Sequence, residues 1–241
     1  MKNKINKIAI IIAGGTGARM GQDIPKQFLN VGDKPVIMYT LEAFQKHPEI
    51  DGIVVVCIDG WHEILKSYAK QFNITKLVSV ISGGATGHES IRHGLDEVKR
   101  LYDENSIVLI HDAIRPMVSE EIISDNIIKC IKYGNATTVV PCTTVVLEKS
   151  DPEYSTNVID RDNMYLTQTP QAFVLKDILS AHEEAKKKGI TNAVASCSLY
   201  ISLGRKVYYS IGSETNIKLT RPGDIQIFKA LLSVEKADWM K

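Results

Sequence analysis

Lys7-Ile8-Ala9-Ile10-Ile11-Ile12-Ala13-Gly14-Gly15-Thr16-Gly17-Ala18-Arg19-Met20-Gly21 is the stretch that decides the fold. From Ile8 to Ile12 the chain is apolar on both faces and mostly β-branched, the pattern of a strand buried in the middle of a parallel sheet. A glycine-rich turn follows at once. Without a Cβ, glycine takes backbone angles that other residues avoid, so consecutive N–H groups can curl into a concave nest suited to phosphate. Arg19, and Lys26 in the following Pro25-Lys26-Gln27, add two positive charges beside it. Taken alone, the two read equally as solvated surface charges. The turn stands at the C-terminal end of a strand, where open α/β sheets bind their ligands.

Outward from this turn, strand-like and helix-like patterns alternate. Residues 35–47 carry Ile37, Leu41 and Phe44 on one helical face, with Pro35 suited to a first turn. Residues 52–58 read as a buried strand and 77–81 as a further strand, with a helix at 61–72 between them. A second glycine-rich turn, Gly83-Gly84-Ala85-Thr86-Gly87, opens a helix through Ser90, Ile91, Leu95 and Val98, and the buried strand 106–110 runs into His111-Asp112-Ala113-Ile114-Arg115-Pro116. Ser119 reads as the cap of a helix over 120–131. The pattern predicts a doubly wound, mostly parallel α/β sheet with helices on both faces. The rhythm breaks at about 137–163, where Thr137 to Val140, Thr144 to Leu147 and a return near Val158 predict a β-arm leaving the sheet. Such an arm packs on a second subunit or lies as a surface hairpin of one monomer. Helices at 174–188 and 195–203, a strand at 206–210 and a final helix after Pro222 complete the reading. With no Pro/Ser/Gly-rich linker, the 241 residues form one domain, 1–241.

Composition narrows the function. Lys plus Arg number 29 against 28 for Asp plus Glu, a net charge of +1, so bulk charge gives no reason to expect nucleic acid or an anionic membrane surface. Any anion site must be local. Cys57, Cys130, Cys142 and Cys197 are scattered without metal-ligand spacing, which suits reduced, buried thiols. The N-terminal apolar run is too short for a signal peptide and no stretch reaches membrane-spanning length, so the expectation is a cytoplasmic protein.

Three strand ends deliver loops to one edge of the sheet: 13–19, 83–90 and 111–115. A phosphate nest, a second backbone-lined turn and a carboxylate would therefore share one crevice. Asp112 is the metal candidate, because Mg²⁺ keeps waters and needs only one or two protein carboxylates beside phosphate oxygens. It also reads as a cap on the segment after it. Arg161 in Asp160-Arg161-Asp162 and Lys218 in Asn216-Ile217-Lys218-Leu219-Thr220 lie in loops that reach the same crevice, where they suit a second anion. As surface ion-pair members they would carry no such meaning.

The order of these motifs resembles the family of cytidylyltransferases that act on 2-C-methyl-D-erythritol 4-phosphate and on ribitol 5-phosphate. The matching stretches are Ala13-Gly14-Gly15-x-Gly17-x-Arg19-Met20, Pro25-Lys26-Gln27, Gly83-Gly84, His111-Asp112-Ala113-x-Arg115-Pro116, Gln168-Thr169-Pro170-Gln171-x-Phe173 and Asn216-Ile217-Lys218-Leu219-Thr220-x-Pro222-x-Asp224. The resemblance implies a Rossmann-like nucleotidyltransferase, dimeric through exchanged arms, that transfers CMP from CTP to a polyol phosphate with Mg²⁺ and releases pyrophosphate. It implies that Arg19, Lys26, Lys218 and Arg161 stabilise charge, and that Ala13, Gly14, Gly15, Thr16, Gly17, Gly84, Ala85, Ser90, Asp112 and Ala113 hold the nucleotide. Arg115, Thr144, Arg161, Thr169, Thr191 and Lys218 would hold the acceptor, Arg161 from the partner subunit, and Asp112 the metal. The chemistry needs positioning and charge neutralisation rather than a protein nucleophile, so His111 reads as support.

Three stretches depart from the family pattern: Gly84 to Glu89, where an acidic residue and an arginine are usual; Thr143, where an Asp is usual, with no lysine at Val146 or Leu147; and Thr191 to Ser196. The missing arm lysine and Arg161-Asp162-x-Met164-Tyr165 resemble the ribitol 5-phosphate side, with 2-C-methyl-D-erythritol 4-phosphate as the alternative acceptor. A dinucleotide-dependent oxidoreductase is disfavoured, because Gly14-Gly15-x-Gly17 is not G-x-G-x-x-G and Asp59 lies too far on for a ribose carboxylate. A nucleotide-binding protein without turnover is the reading outside enzymology.

Overall fold

The computed structural model describes residues 4–15, 24–191 and 193–238. These residues build one seven-stranded sheet whose strands are, from edge to edge, β11 (Tyr209–Ile211), β7 (Asn135–Pro141), β10 (Tyr165–Val174), β6 (Ile107–Asp112), β1 (Lys7–Ala13), β4 (Gly52–Cys57) and β5 (Leu77–Ser82). At its centre β1 (Lys7–Ala13) runs parallel to β4 (Gly52–Cys57) on one side and β6 (Ile107–Asp112) on the other. The chain lays down β1, β4 and β5 (Leu77–Ser82) in one direction, then crosses β1 to place β6. The reversal between β1 and β6 is the crevice where such sheets bind ligands.

The unbroken apolar runs are explained by cover on both faces. Along β1, Ala9, Ile11 and Ala13 pack with one core cluster and Ile8 and Ile10 with another. Along β4, Ile53, Val55 and Cys57 alternate in the same way with Val54 and Val56. Successive strand residues point to opposite faces, so a strand buried on both sides must be apolar throughout. The first face is covered by α1 (Val36–Lys46), α2 (His62–Gln71) and α4 (Glu120–Tyr133). The second is covered by α3 (Gly87–Leu101), α5 (Leu175–Lys187) and α6 (Ser196–Ser202). Gly94 lets α3 lie close on this face: a Cβ there would stand 2.5 Å from Ile10 Cγ2. Ile10 is fully buried, and its truncation to Ala would cost about 2–5 kcal/mol.

Helix ends follow their capping residues. Thr86 accepts the Glu89 amide at the start of α3, Ser119 accepts the Ile122 amide at the start of α4, and Gly134 ends α4 at φ 87°. Helix α7 (Pro222–Asp238) closes a small third core of Val31, Val36, Ile114, Leu219 and Phe228.

Two expectations need correction. Thr137 to Val140 are not part of an arm. They lie in β7 (Asn135–Pro141), which pairs with β10 (Tyr165–Val174) and with β11 (Tyr209–Ile211) in the main sheet. The arm is the segment beyond Pro141, where β8 (Val146–Glu148) and β9 (Asn157–Ile159) form a separate antiparallel pair. Secondly, the stretch from Gln168 to Phe173, quoted above only as a motif with no element assigned to it, lies in β10, a ten-residue strand antiparallel to both β6 and β7. A register shift between Thr167 and Gln171 lets it carry Pro170 inside the sheet. A two-residue pair, β2 (Asn30–Val31) with β3 (Lys34–Pro35), precedes α1.

Candidate active site

Asp112 ends β6 opposite Ile12 of β1, at the switch point of the sheet. Its Oδ1 accepts a hydrogen bond from Lys218 Nζ at 3.0 Å and its Oδ2 one from Arg115 Nε at 3.2 Å. Burial alone would raise this carboxyl, but Lys218 and Arg115 outweigh it and hold the pKa below the ordinary value. The carboxylate is therefore ionised, and it stands between two cations rather than capping the segment after it, as the sequence also allowed.

The surrounding frame explains why these groups meet. Arg115 Nη1 donates to the Asn216 carbonyl at 2.7 Å, and Leu219 N donates to the Ile114 carbonyl at 2.9 Å, so the segment carrying Lys218 is tied to the end of β6. Asn216 Nδ2 in turn donates to Thr169 O at 2.9 Å and to Gln168 Oε1 at 3.1 Å. Gln168 Nε2 donates to Ser213 O at 2.8 Å. Asn216 is fully buried and Gln168 nearly so, and neither was singled out from the sequence for a role. Both lay inside the quoted motifs, which is the signal that could have found them.

His111 acts through Thr169. The Thr169 hydroxyl accepts from the Asp112 amide at 3.1 Å and lies 3.1 Å from His111 Nδ1. His111 Nε2 faces the Arg115 carbonyl at 3.1 Å, so this nitrogen carries the proton and Nδ1 accepts from the threonine. Burial pushes the imidazole down to about 4. A neutral, fully buried ring with both nitrogens engaged suits a support, as expected, and not an acid or base.

Asp112, Arg115, Thr169 and Lys218 line one wall of a cleft of about 310 Å³, and Ile12, Ile91 and Ser196 line others. Beside it the two glycine turns lie close together, since a Cβ on Gly14 would stand 3.7 Å from Gly83 Cα and 3.5 Å from Ser90 Oγ at the start of α3. Ser90 is buried and its Oγ accepts the Gly84 amide at 3.0 Å, so it braces the turn. Glu89 Oε2 accepts the Ala85 amide at 2.8 Å. Gly84 admits no side chain, because a Cβ would stand 2.3 Å from Glu89 Cβ.

Not every expected residue reaches the cleft. Ala113 is buried, with its amide on the Ile12 carbonyl at 3.0 Å and its own carbonyl on Thr40 Oγ1 at 2.9 Å, so its backbone is already committed. Thr191 lines a different cleft, with His88, Arg92 and His182. Thr144 and Arg161 belong to the arm: Arg161 Nη1 donates to the Thr143 carbonyl at 2.8 Å, and neither residue lines the Asp112 cleft of this chain. Thr16, Gly17 and Arg19 lie outside the described residues. Lys26 stands on a 3-10 turn, Lys26–Phe28.

Among the described residues no group of three or more His, Cys, Asp or Glu could hold a metal ion. Asp112 is a single hard carboxylate, which matches an ion held mainly by water and substrate phosphates rather than by a protein cage. All four cysteines are buried free thiols, and burial pushes Cys57 and Cys130 up to about 12, which leaves them unsuited to nucleophilic work. No helix among the described residues is long and apolar enough to cross a membrane.

Comparison with known proteins adds the following. A sequence model of the 2-C-methyl-D-erythritol 4-phosphate cytidylyltransferase family (IspD) matches residues 7–234. The ribitol-5-phosphate cytidylyltransferase of Lacticaseibacillus paracasei is 41% identical over 226 residues, covering 93% of this chain and 97% of the relative. That of Vibrio parahaemolyticus is 42% identical over 230 residues, covering 95% and 97%. The 2-C-methyl-D-erythritol 4-phosphate cytidylyltransferase of Clostridium botulinum is 36% identical over 226 residues, covering 92% and 96%. Among solved structures, the 4-diphosphocytidyl-2C-methyl-D-erythritol synthase of Anaerococcus prevotii matches with TM-score 0.80 at 28% identity, covering 95% of this chain and 99% of that one.

Proposed function

The chain is a cytidylyltransferase of the 2-C-methyl-D-erythritol 4-phosphate cytidylyltransferase family, and on that premise we propose that it transfers CMP from CTP to ribitol 5-phosphate. The observation that carries the choice of acceptor is the higher identity, 41–42% against 36%, to relatives named for ribitol 5-phosphate over nearly the whole chain. The second reading, 2-C-methyl-D-erythritol 4-phosphate, is favoured by the family model and by the names of the solved structures.

In the reaction an oxygen of the acceptor phosphate attacks the α-phosphorus of CTP. The new P–O bond forms as the bond from the α-phosphorus to the bridging oxygen breaks, and pyrophosphate leaves with that oxygen and its electrons. No protein nucleophile is needed. The barrier is the approach of two anions and the charge gathered on the leaving group, so cations and orientation do the catalysis. Gly14 and Gly15 offer backbone to the triphosphate, while Arg19 and Lys26 neutralise the leaving charge. Asp112 would hold Mg²⁺, which neutralises phosphate charge when bound. Lys218, Arg115 and Thr169 receive the acceptor phosphate at the cleft wall. Arg161 comes to that phosphate from the partner subunit, because in its own chain it sits on the arm and away from the cleft. Two chains exchanging arms complete the site, and CTP as donor places the reaction in the cytoplasm.

Pyrophosphate release from CTP and Mg²⁺ is the test. We expect it with ribitol 5-phosphate and much less with 2-C-methyl-D-erythritol 4-phosphate. The reverse preference would move the protein to the second reading, and no release with either would favour a binding protein without turnover.

A further inference from the structure

Gln27 was part of the Pro25-Lys26-Gln27 motif but has no task in the chemistry so far. It is 1% exposed, and its side-chain amide donates twice, to the Ala13 carbonyl at 2.8 Å and to the Gly15 carbonyl at 3.0 Å. A carboxamide nitrogen has two hydrogens, one for each carbonyl. Its own turn is held by Phe28 N on the Pro25 carbonyl at 2.8 Å and by Phe28 stacked on Trp61 at 4.5 Å. The donor is therefore fixed before any ligand arrives.

The orientation matters more than the two bonds. The Ala13 carbonyl also accepts from Ile58 N at 3.2 Å, so it points toward the β4 side of β1. In a planar trans peptide the N–H lies opposite the C=O, so the Gly14 amide points toward the β6 side, where Asp112 ends its strand. The Ala13 carbonyl has Ile58 as a second anchor, whereas the Gly15 carbonyl is held by Gln27, and with little restraint from glycine itself it could otherwise flip toward an incoming phosphate. A carbonyl there would repel the anion that an N–H attracts.

We propose that Gln27 is a positioning residue for the nucleotide. By taking both carbonyls it keeps the amide of the glycine turn aimed into the crevice, and it ties the turn bearing Lys26 to the strand end bearing Gly14. The proposal rests on the cytidylyltransferase reading of this site.

Calorimetric binding of CTP with Mg²⁺ to the full chain separates the outcomes. Gln27→Met keeps length and fills the space while removing both donors, and Gln27→Glu keeps the shape but sets acceptor oxygens against the carbonyls. For either variant that keeps the wild-type melting temperature within a few degrees, we expect CTP affinity to fall roughly tenfold or more, two net hydrogen bonds' worth. The KM for CTP should rise in step while the KM for ribitol 5-phosphate stays unchanged. A merely structural role would lower the active fraction and leave both KM values alone. Wild-type affinity in a folded variant overturns the proposal and leaves the functional reading standing. A wild-type protein that binds no CTP overturns the functional reading and the proposal with it. Should both variants fail to fold, the role is structural and the proposal is overturned.

Discussion

Lys26 and Lys218 carry the same charge but are proposed to act at different moments, and substitution should separate them. If Lys26 meets charge that grows only in the displacement, Lys26→Ala lowers kcat by about 10²–10³ while CTP affinity changes little. Equal losses in affinity and turnover would remove it from that role. Lys218 already holds Asp112 at 3.0 Å, and its side chain is 42% exposed against 11% for Arg115. A metal at Asp112 would displace the more exposed cation, and the freed ammonium is then placed for the acceptor phosphate. Lys218→Ala should accordingly raise the KM for the acceptor by about tenfold or more, a charge-assisted hydrogen bond's worth, and should also tighten Mg²⁺ binding at Asp112. Metal titration of the variant in the presence of CTP measures the second effect, and unchanged metal affinity would show that the ion does not compete with the lysine.

At the scale of elements, what could be read from the sequence depended on whether burial left a mark in composition. β1, β4 and β6 were legible because a strand covered on both faces has no polar residue to spare. β10 was not, since Thr167-Gln168-Thr169-Pro170-Gln171 spends polar side chains on Ser213, Asn216 and His111, contacts made with residues far along the chain. β7 was misplaced for the opposite reason: Thr137 to Val140 are β-formers in any setting, and only pairing with β10 and β11 puts them in the main sheet. The site was legible as motifs but not as contacts. Asp112, Arg115, Thr169 and Lys218 converge, whereas nothing local distinguishes Ala113, whose backbone is committed inside, or Thr191, which faces another cleft. The arm offers the sharpest element-level prediction. If arms exchange, an Arg161→Ala chain mixed with a Lys218→Ala chain rebuilds one intact site per mixed dimer, so that at acceptor concentrations well below KM, where each single variant is impaired about tenfold or more, the mixture recovers about a quarter of wild-type activity. Activity no higher than the sum of the two would place Arg161 in its own chain's site or in none.

Across the whole molecule, the buried rings of His111 and His182 contribute to the response to acid. Burial pushes both His111 and His182 down to about 4, from an ordinary 6.5. The unfolded chain therefore takes up protons first. Their contribution to stability is complete above pH 6.5, declines as pH falls from there, and reaches its floor below about 4, a loss on the order of 1 to 3 kcal/mol for each ring. Urea midpoints at pH 7 and pH 4.5 measure it, and His182→Leu, outside the Asp112 cleft, should make the decline shallower; an unchanged slope would assign the acid response to other groups. The arm governs a different property of the molecule. Val145, Leu147 and Val158 are 60–68% exposed on a hairpin of three-residue strands, and a lone two-stranded ribbon is marginal in water. If arms exchange, a ribbon left without a neighbour frays and the protein reports its own abundance: turnover per molecule should drop on dilution into the range where partners separate, and the cell would gain activity faster than it gains protein.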